Sequence, residues 1–501
     1  MSIKHKFLYK VIIFLLLPSG LFSQTFNILD FEAKSNINVL STEAIQAAID
    51  SCSAVGGGTV IVPAGTYYSG TLFLKDRVNI HLRSGAFLIG SSDPNDYPQL
   101  DIKFKTMFSP VISNENLKDA KKKYKAFLFA ENAENISITG EGTINGNGNA
   151  SSFQLGNDGS SKESIQRPIL ILAVNCRKVK LEDIKLKNSA YWMQSYLACD
   201  DVHLKGISVY NHCNYNNDGI DIDSKNVLIE NCIIDSDDDG ICLKSHDKER
   251  FCENVIIRNC TVRSNCNAVK LGTASVGGFK NILIENIIIK SASESTIRDW
   301  QKIWNFIDKP NTGLCGISIE NVDGGISENI KVNNICMTDM QAPLFVKLGN
   351  RCLCNTGKLK NIEISNLTAK THSKITGSIS GYPGNYIENI TLKNISINSS
   401  GGGTKKDSKI NLQENETLYP EVNMFGEVLP SSGLFIRHAR GIIIQNIDFQ
   451  NRNLDFRPTM VFDDVKQGYV YQVNQIKPSG NASLIKQKDC KNIHLKYKTK
   501  K

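Results

Sequence analysis

At 501 residues, 41% of them hydrophobic, the chain is long enough to bury an extended core, and 58 basic against 50 acidic residues, a formal charge of +8, exclude a disordered polyelectrolyte. No basic run interleaved with aromatic residues is present, which argues against nucleic acid as a partner. None of the fourteen cysteines falls in a CxxC pair, so zinc ligation is not expected.

Residues 1–23 place Lys4, Lys6 and Lys10 ahead of an apolar run from Val11 to Leu17 and a small-residue end at Ser23, the order of a secretory signal. The run is too short to span a bilayer. The expectation is a secreted protein, periplasmic or extracellular, with a single domain over residues 24–501 and no membrane span in the mature chain. Without that segment the chain carries 55 basic and 50 acidic residues, or +5, a weak preference for anionic partners. In residues 42–52, Ala44, Ile45, Ala48 and Ile49 share one helical face behind Ser41 or Thr42 as N-cap, which predicts an amphipathic helix capping the open end of the fold.

Beyond the helix the chain is repetitive. The phrase Asn-(Val/Ile)-x-(Ile/Val/Leu)-x-Asn recurs at 226–231, 254–259, 281–286, 329–334, 361–366 and 389–394. The first three copies start 28 and 27 residues apart and the last two 28 apart; the gap of 48 between 281 and 329 reads as nearly two units. A period in the twenties marks a solenoid. Alternating β-branched positions such as Ile229, Ile257 and Ile284 predict one inward strand face per turn. Asn231, Asn259 and Asn286 then close turns and are expected to stack as an interior ladder. The reading is all-β, a parallel β-helix; a leucine-rich repeat would need a leucine consensus and a helix per unit. Related phrases at Asn135–Gly140 and Gly441–Asn446 extend it from about residue 57 to the C-terminus, with residues 400–432 as a long loop excursion. Cys232 and Cys260 occupy equivalent repeat positions and read as packed free thiols. Cys352 and Cys354, one residue apart, read as poor partners for each other. Most of the glycosylation sequons, which include Asn135, Asn366, Asn389, Asn394 and Asn481, coincide with repeat asparagines.

The chemistry-bearing segments are Asn216-Asn217-Asp218-Gly219-Ile220-Asp221 and Asp235-Ser236-Asp237-Asp238-Asp239-Gly240. Asp218 precedes Asp238 and Asp239 by 20 and 21 residues. If that is one coil, the carboxylates stack near the strand spacing of about 4.8 Å, and mutual repulsion pushes their pKa values apart. One site then holds a protonated acid beside an ionised base, as an inverting glycosidase requires. Two other readings stay open. Asp218, Asp221, Asp237, Asp238 and Asp239 offer the hard oxygens of a calcium-dependent polysaccharide lyase, and the same aspartates are turn residues in a carbohydrate-binding solenoid.

Further motifs carry a resemblance. Ala44-Ile-Gln-Ala-Ala-Ile-Asp50, Gly142-Thr-Ile-Asn-Gly-Asn-Gly148 and Asn188-Ser-Ala-Tyr-Trp192 look like the capping helix, the Gly-x-Ile-Asp-Gly-x-Gly turn and the Asn-Ser-Pro-x-Trp segment of glycoside hydrolase family 28. Asn216-Asn-Asp-Gly219 is similar to that family's Asn-Thr-Asp-Gly, and Asp237-Asp-Asp-Gly-Ile-Cys-Leu-Lys-Ser245 to its Gly-Asp-Asp-Cys-Ile-x-Ile-Lys-Ser. The resemblance to these polygalacturonases and rhamnogalacturonan hydrolases implies a right-handed parallel β-helix and inversion at the anomeric carbon. It also implies Asp238 as general acid, with Asp218 and Asp239 positioning and deprotonating water. Two family motifs are altered. Asn267 stands at the active-site histidine, and Ser318-Ile319-Glu320 replaces the Arg-x-Lys pair that grips a substrate carboxylate. Lys244, Lys270, Lys347 and Arg351 are the candidate replacement cations; Asn216, Asn267 and Trp192 complete the expected substrate contacts. Tyr419-Pro-Glu421 is placed to fold back over the groove, whereas Arg437 reads as structural and His212 and His246 as exposed loop histidines. The expected protein is a monomeric hydrolase of α-linked, acidic, pectic polysaccharide, needing no metal or cofactor. A rhamnogalacturonan hydrolase or an exo-acting galacturonide hydrolase is the alternative.

Overall fold

A computed structural model describes residues 24–102, 124–154, 167–295, 297–304, 306–476 and 483–496. The expected signal segment and the Asn481 sequon lie outside the described residues. Strands from Thr25–Asn27 to Lys491–Lys496 join one continuous sheet whose pairings between named strands are all parallel, each coil stacking on the last as a parallel β-helix. The repeat explains the stacking. Val227, Val255, Ile282, Ile330, Ile362, Ile390 and Ile442 are in register and buried, and so are Ile229, Ile257, Ile284, Val332, Ile364, Leu392 and Ile444. Two aliphatic columns thus run along the axis as predicted, each residue removing apolar surface that no single coil could bury alone.

The helix α1, Thr42–Ala54, buries Ile45, Ala48, Ile49 and Cys52 against the first coils. Ser41 is its N-cap residue, but its hydroxyl turns away to donate to the Lys34 carbonyl at 3.2 Å. No helix among the described residues is long and apolar enough to cross a membrane.

The asparagine ladders form on the outside of the solenoid, not in its interior. Asn254, Asn281, Asn329, Asn361 and Asn389 each donate through Nδ2 to the Oδ1 of the asparagine one coil before, at 3.0–3.1 Å. Each stands at a left-handed turn, Asn281 with φ 55°, where asparagine bonds locally and a branched side chain would clash. Because these residues sit at the corners, the side chain leaves the core even as the adjacent isoleucines enter it. Asn281→Ala is expected to cost about 2 kcal/mol, from the lost ladder bonds plus the left-handed backbone. Asn281→Gly should cost less, since glycine accepts that φ. Denaturant midpoints of the two variants measure the difference; equal losses would show that backbone conformation contributes nothing.

The 48-residue interval is one coil, not two. Strand Phe279–Ser291 pairs directly with Ile326–Leu348, and Asn329 stacks on Asn281. The surplus includes an insertion over 292–312, between strands Phe279–Ser291 and Gly313–Asn321. A second enlarged coil carries residues 402–433 between Ile387–Gly401 and Leu434–Asn453. Both insertions seat on a second apolar cluster beside the main core, built from Cys315, Phe345, Val422, Phe425 and Phe435 with Trp300 and Trp304 against it. Cys352 and Cys354 are disulfide-bonded, against expectation: the turn brings their Cα atoms to 5.3 Å. The other twelve cysteines are free, with Cys232 and Cys260 buried as read.

Candidate active site

The two Asp-Gly segments build the site because their coils are in register. Ile220 pairs with Ile241, and the Gly219 N–H donates to the Asp239 carbonyl at 2.9 Å, so the 20–21-residue interval is one coil and Asp218 lies directly over Asp239. Side chains are excluded between them: a Cβ on Gly219 would lie 2.5 Å from the Gly240 carbonyl oxygen, and one on Gly240 would lie 2.6 Å from that of Ala268. The preceding turn is fixed by Asn217, whose amide donates to the Ser189 and Tyr191 carbonyls at 3.0 and 2.9 Å. Ser264 Oγ fixes the Asp238 carbonyl at 2.6 Å. The next coil places Asn267 beside Asp239, and a parallel row runs Asp221, Cys242, Lys270, Ser318.

These side chains surround a cavity of about 390 Å³ whose lining includes Asp218, Asp238, Asp239, Asn216, Lys244, Asn267, Lys270, Trp192 and Arg351. All the expected site residues are therefore brought together except Lys347. That lysine is fully buried, donates to the Gly381 carbonyl at 3.3 Å, and lies under the Phe425 ring of the long excursion. Burial lowers it to about 8. Its strand faces the groove wall, but residues 402–433 cover it. Tyr419 and Glu421 of the same excursion do reach the cavity, as expected. His246 also lines it and shares a hydrogen bond with Asp223 at 2.8 Å. His212, expected to be exposed, is instead buried and tied to Asp235 at 2.8 Å, and Arg437 is tied to the excursion through the Leu412 and Gln413 carbonyls and Glu414.

The electrostatics separate the stacked pair. Burial, together with the charges of Asp221 and Asp238, pushes Asp218 well above the usual carboxylate range. Burial acts on Asp239 too, but Lys270 and Lys244 and the Asn267 amide outweigh it and hold Asp239 below that range. Lys270 Nζ is 3.1 Å from Asp239 Oδ2, while the Asn267 backbone and side-chain N–H groups donate to Oδ1 at 3.1 and 2.8 Å. Asparagine at the altered histidine position thus orients Asp239 without titrating. Glu320, at the altered clamp, does not face a sugar. It is buried, accepts from Ser318 at 2.7 Å and Thr273 at 3.1 Å, and lies 3.8 Å from Lys270.

Burial raises Glu320 to about 7, so the folded chain holds that proton more tightly than the unfolded chain. The associated stability is present below the ordinary carboxyl range and lost as pH rises through about 7. Glu320→Gln removes the loss. Relative to the parent, the variant should gain on the order of 2 kcal/mol between pH 5 and pH 8, read by denaturant unfolding; an unchanged difference would place the titration elsewhere.

Sequence reasoning missed Arg298 and Trp300, which enter the cavity from the 292–312 insertion. Arg298 NH2 donates to Asp238 Oδ2 at 2.6 Å and NH1 to Asp237 Oδ2 at 3.1 Å. Trp300 stacks on Trp304 at 4.7 Å. The signal was present, two tryptophans and a phenylalanine within 300–306, but it was hidden by counting the interval as two coils. Of the five aspartates that could offer oxygens to calcium, four are paired with cations: Asp221 with Lys244 at 3.1 Å, Asp237 and Asp238 with Arg298, and Asp239 with Lys270.

The profile of glycosyl hydrolases family 28 matches residues 52–418. The chain belongs to glycosyl hydrolases family 28. This family 28 chain is 29% identical over 286 residues to a probable polygalacturonase of Vitis vinifera, covering 54% of the chain and 56% of the relative. It is 27% identical over 306 residues to an exo-poly-alpha-D-galacturonosidase of Dickeya chrysanthemi, covering 52% and 50%. The match thus spans about half the length of these relatives. An exopolygalacturonase X-1 of Emericella nidulans is 25% identical over 72% of the chain and 80% of its own length. Among solved structures, a hyperthermoactive exopolygalacturonase from Thermotoga maritima aligns with TM-score 0.60 at 20% identity, over 75% of this chain and 87% of that one. A family 28 exopolygalacturonase from Yersinia enterocolitica aligns with TM-score 0.60 at 20% identity, over 94% and 78%. At such identities the structural likeness carries the fold alone.

Proposed function

We propose that this family 28 chain is an exported hydrolase that cleaves α-linkages in a galacturonate-containing, pectic polysaccharide by one inverting displacement. Asp238 protonates the leaving oxygen, and Asp239, steadied by Asp218, takes the proton from the attacking water. The observation that carries the reading is the opposed perturbation of two stacked carboxylates: Asp218 is pushed up and Asp239 held down one coil apart. Lowered Asp239 is thereby fitted to the base's role, with Asp218 beside it to hold the water, while the acid's role falls to Asp238 from its place in the segment that resembles the family's Gly-Asp-Asp. The substrate class rests on the relatives, which are named as polygalacturonases and exopolygalacturonases.

Action at a chain end is favoured by the two insertions. A cavity of about 390 Å³, with Arg298 and Trp300 on one wall and Tyr419 and Glu421 on another, lies near the lower end of the range of ligand pockets. Trp192, stacked on Tyr191 at 4.6 Å, offers a rigid aromatic wall for a sugar ring. The test is a reducing-end assay with mass analysis on homogalacturonan and on rhamnogalacturonan, each with and without chelator. New reducing ends released as short saturated products, insensitive to chelator, support the reading. An unsaturated product lost on chelation would assign a lyase, and cleavage of rhamnogalacturonan alone would move the leaving-side sugar to rhamnose.

A further inference from the structure

Arg298 does not belong to any motif by which the chain resembles its family, yet it grips the residue assigned as general acid. One arm is anchored: NH1 donates to both the Asp237 carbonyl and Asp237 Oδ2 at 3.1 Å, and Asp237 is fully buried. The other arm faces the cavity, where NH2 donates to Asp238 Oδ2 at 2.6 Å. Asp238 Oδ1 accepts from the Asp239 N–H at 3.0 Å. Both oxygens of Asp238 are thus acceptors, one of them facing a cation, whereas a general acid must carry a proton and donate it.

The titratable groups that face this pair are Asp239 on the same coil, Asp218 from the coil before, Cys266 and Lys270 from the coil after and Glu421 from the long excursion. Lys270 is committed to Asp239 and Glu320, and Lys244 to Asp221. Arg351 is held by Asp323 at 2.8 and 2.6 Å. A carboxylate arriving beside Asp238 meets Arg298, the cation in direct contact with that residue, with one arm in the cavity and the other fixed on Asp237.

We propose that Arg298 couples recognition of a substrate carboxylate to loading of the general acid. The inference rests on the reading of Asp238 given above. A uronate oxygen takes NH2 while NH1 stays on Asp237, and Asp238, relieved of the guanidinium, takes a proton from solvent. That proton passes to the glycosidic oxygen as the anomeric C–O bond breaks with its electron pair on that oxygen. Water forms the new C–O bond and gives its proton to Asp239, which returns it to solvent. A neutral sugar leaves Arg298 on Asp238 and the acid unloaded, so selectivity for uronate enters kcat as well as KM. Arg298 is a positioning residue, and it restores from a different loop the anion recognition lost at Ser318 and Glu320.

The experiment is calorimetric titration of the intact protein with galacturonic acid near pH 7, in two buffers of different ionisation enthalpy. Binding is expected to take up about one proton per ligand, the Asp238 proton. Asp238→Asn should bind without uptake. The uncharged methyl ester of galacturonic acid should bind the parent at least about tenfold more weakly and without uptake. Arg298→Gln should lose both the uptake and the preference for acid over ester. Failure of the acid to bind, uptake of no proton by the parent, or an intact acid preference in Arg298→Gln would overturn the coupling. These readouts need no turnover. Proton uptake in a protein that cleaves no pectic polymer would sink the substrate assignment alone, and cleavage without uptake would sink the coupling alone.

Discussion

Asp238→Asn is expected to lower hydrolysis by at least about two orders of magnitude, the scale of general acid catalysis, while leaving the fold intact. The amide keeps the size of the carboxyl group and, with its single acceptor oxygen, keeps either the Asp239 N–H bond, now 3.0 Å, or the Arg298 bond, now 2.6 Å. What it cannot do is deliver a proton to a glycosidic oxygen. The loss should therefore appear mainly in kcat and shrink for substrates with a good leaving group, such as an aryl galacturonide, which needs little protonation. A variant that turns over polymer as fast as the parent would remove Asp238 from the mechanism. One slowed equally on polymer and on aryl substrate would point to disturbed geometry instead.

Lys270→Met carries the second large effect, because it strips a buried network of its cation. Lys270 is only 3% exposed, 3.1 Å from Asp239, 3.8 Å from Glu320 and 5.6 Å from the Tyr419 ring centroid. Removing one partner of a buried ion pair leaves an uncompensated charge, at a cost of about 3–5 kcal/mol. Glu320 is already raised to about 7 and can accept a proton, which brings the cost toward the lower figure. Asp239 is held below its ordinary range and Lys270 above its own. The stability of their pairing is thus present above the unfolded carboxyl range and below the unfolded lysine range. It is lost as pH falls through the folded value of Asp239, or rises through that of Lys270. Denaturant unfolding should show the full penalty at pH 7 and a smaller one below about pH 4. Catalysis changes in a linked way. Without the lysine, Asp239 becomes a stronger base but holds its proton, so activity at neutral pH falls and part of it returns as pH rises. An unshifted pH profile of kcat/KM would mean that Lys270 does not tune the base.

The legibility of this molecule depends on what is local and what is not. Ile229, Ile257 and Ile284 could be placed inward because strand alternation is a two-residue rule and the repeat spacing fixes which coils stack. The same spacing placed Asp218 over Asp239, since no insertion falls between them. The asparagine ladders were assigned to the wrong side of the wall: a turn residue's hydrogen-bonding habit reveals its backbone conformation but not whether the corner opens to solvent. Lys347 was misplaced because residues 402–433 fold across it, and the packing of Phe425 over a lysine is a tertiary event that no local pattern announces. Arg298 was lost through the 48-residue interval, where an insertion imitated a repeat unit. The altered motifs at Asn267 and Glu320 were visible as letters, but their consequence was not. Only the pairing through Lys270 shows that Glu320 serves the interior.

A single inverting displacement by Asp238 and Asp239 at an α-galacturonide bond is the centre of the proposed mechanism. Time-resolved proton NMR of the first reducing ends released from homogalacturonan, before mutarotation, tests it most directly. Initial appearance of the β-anomer is the predicted result; initial appearance of the α-anomer would require a covalent intermediate and contradict the assigned roles.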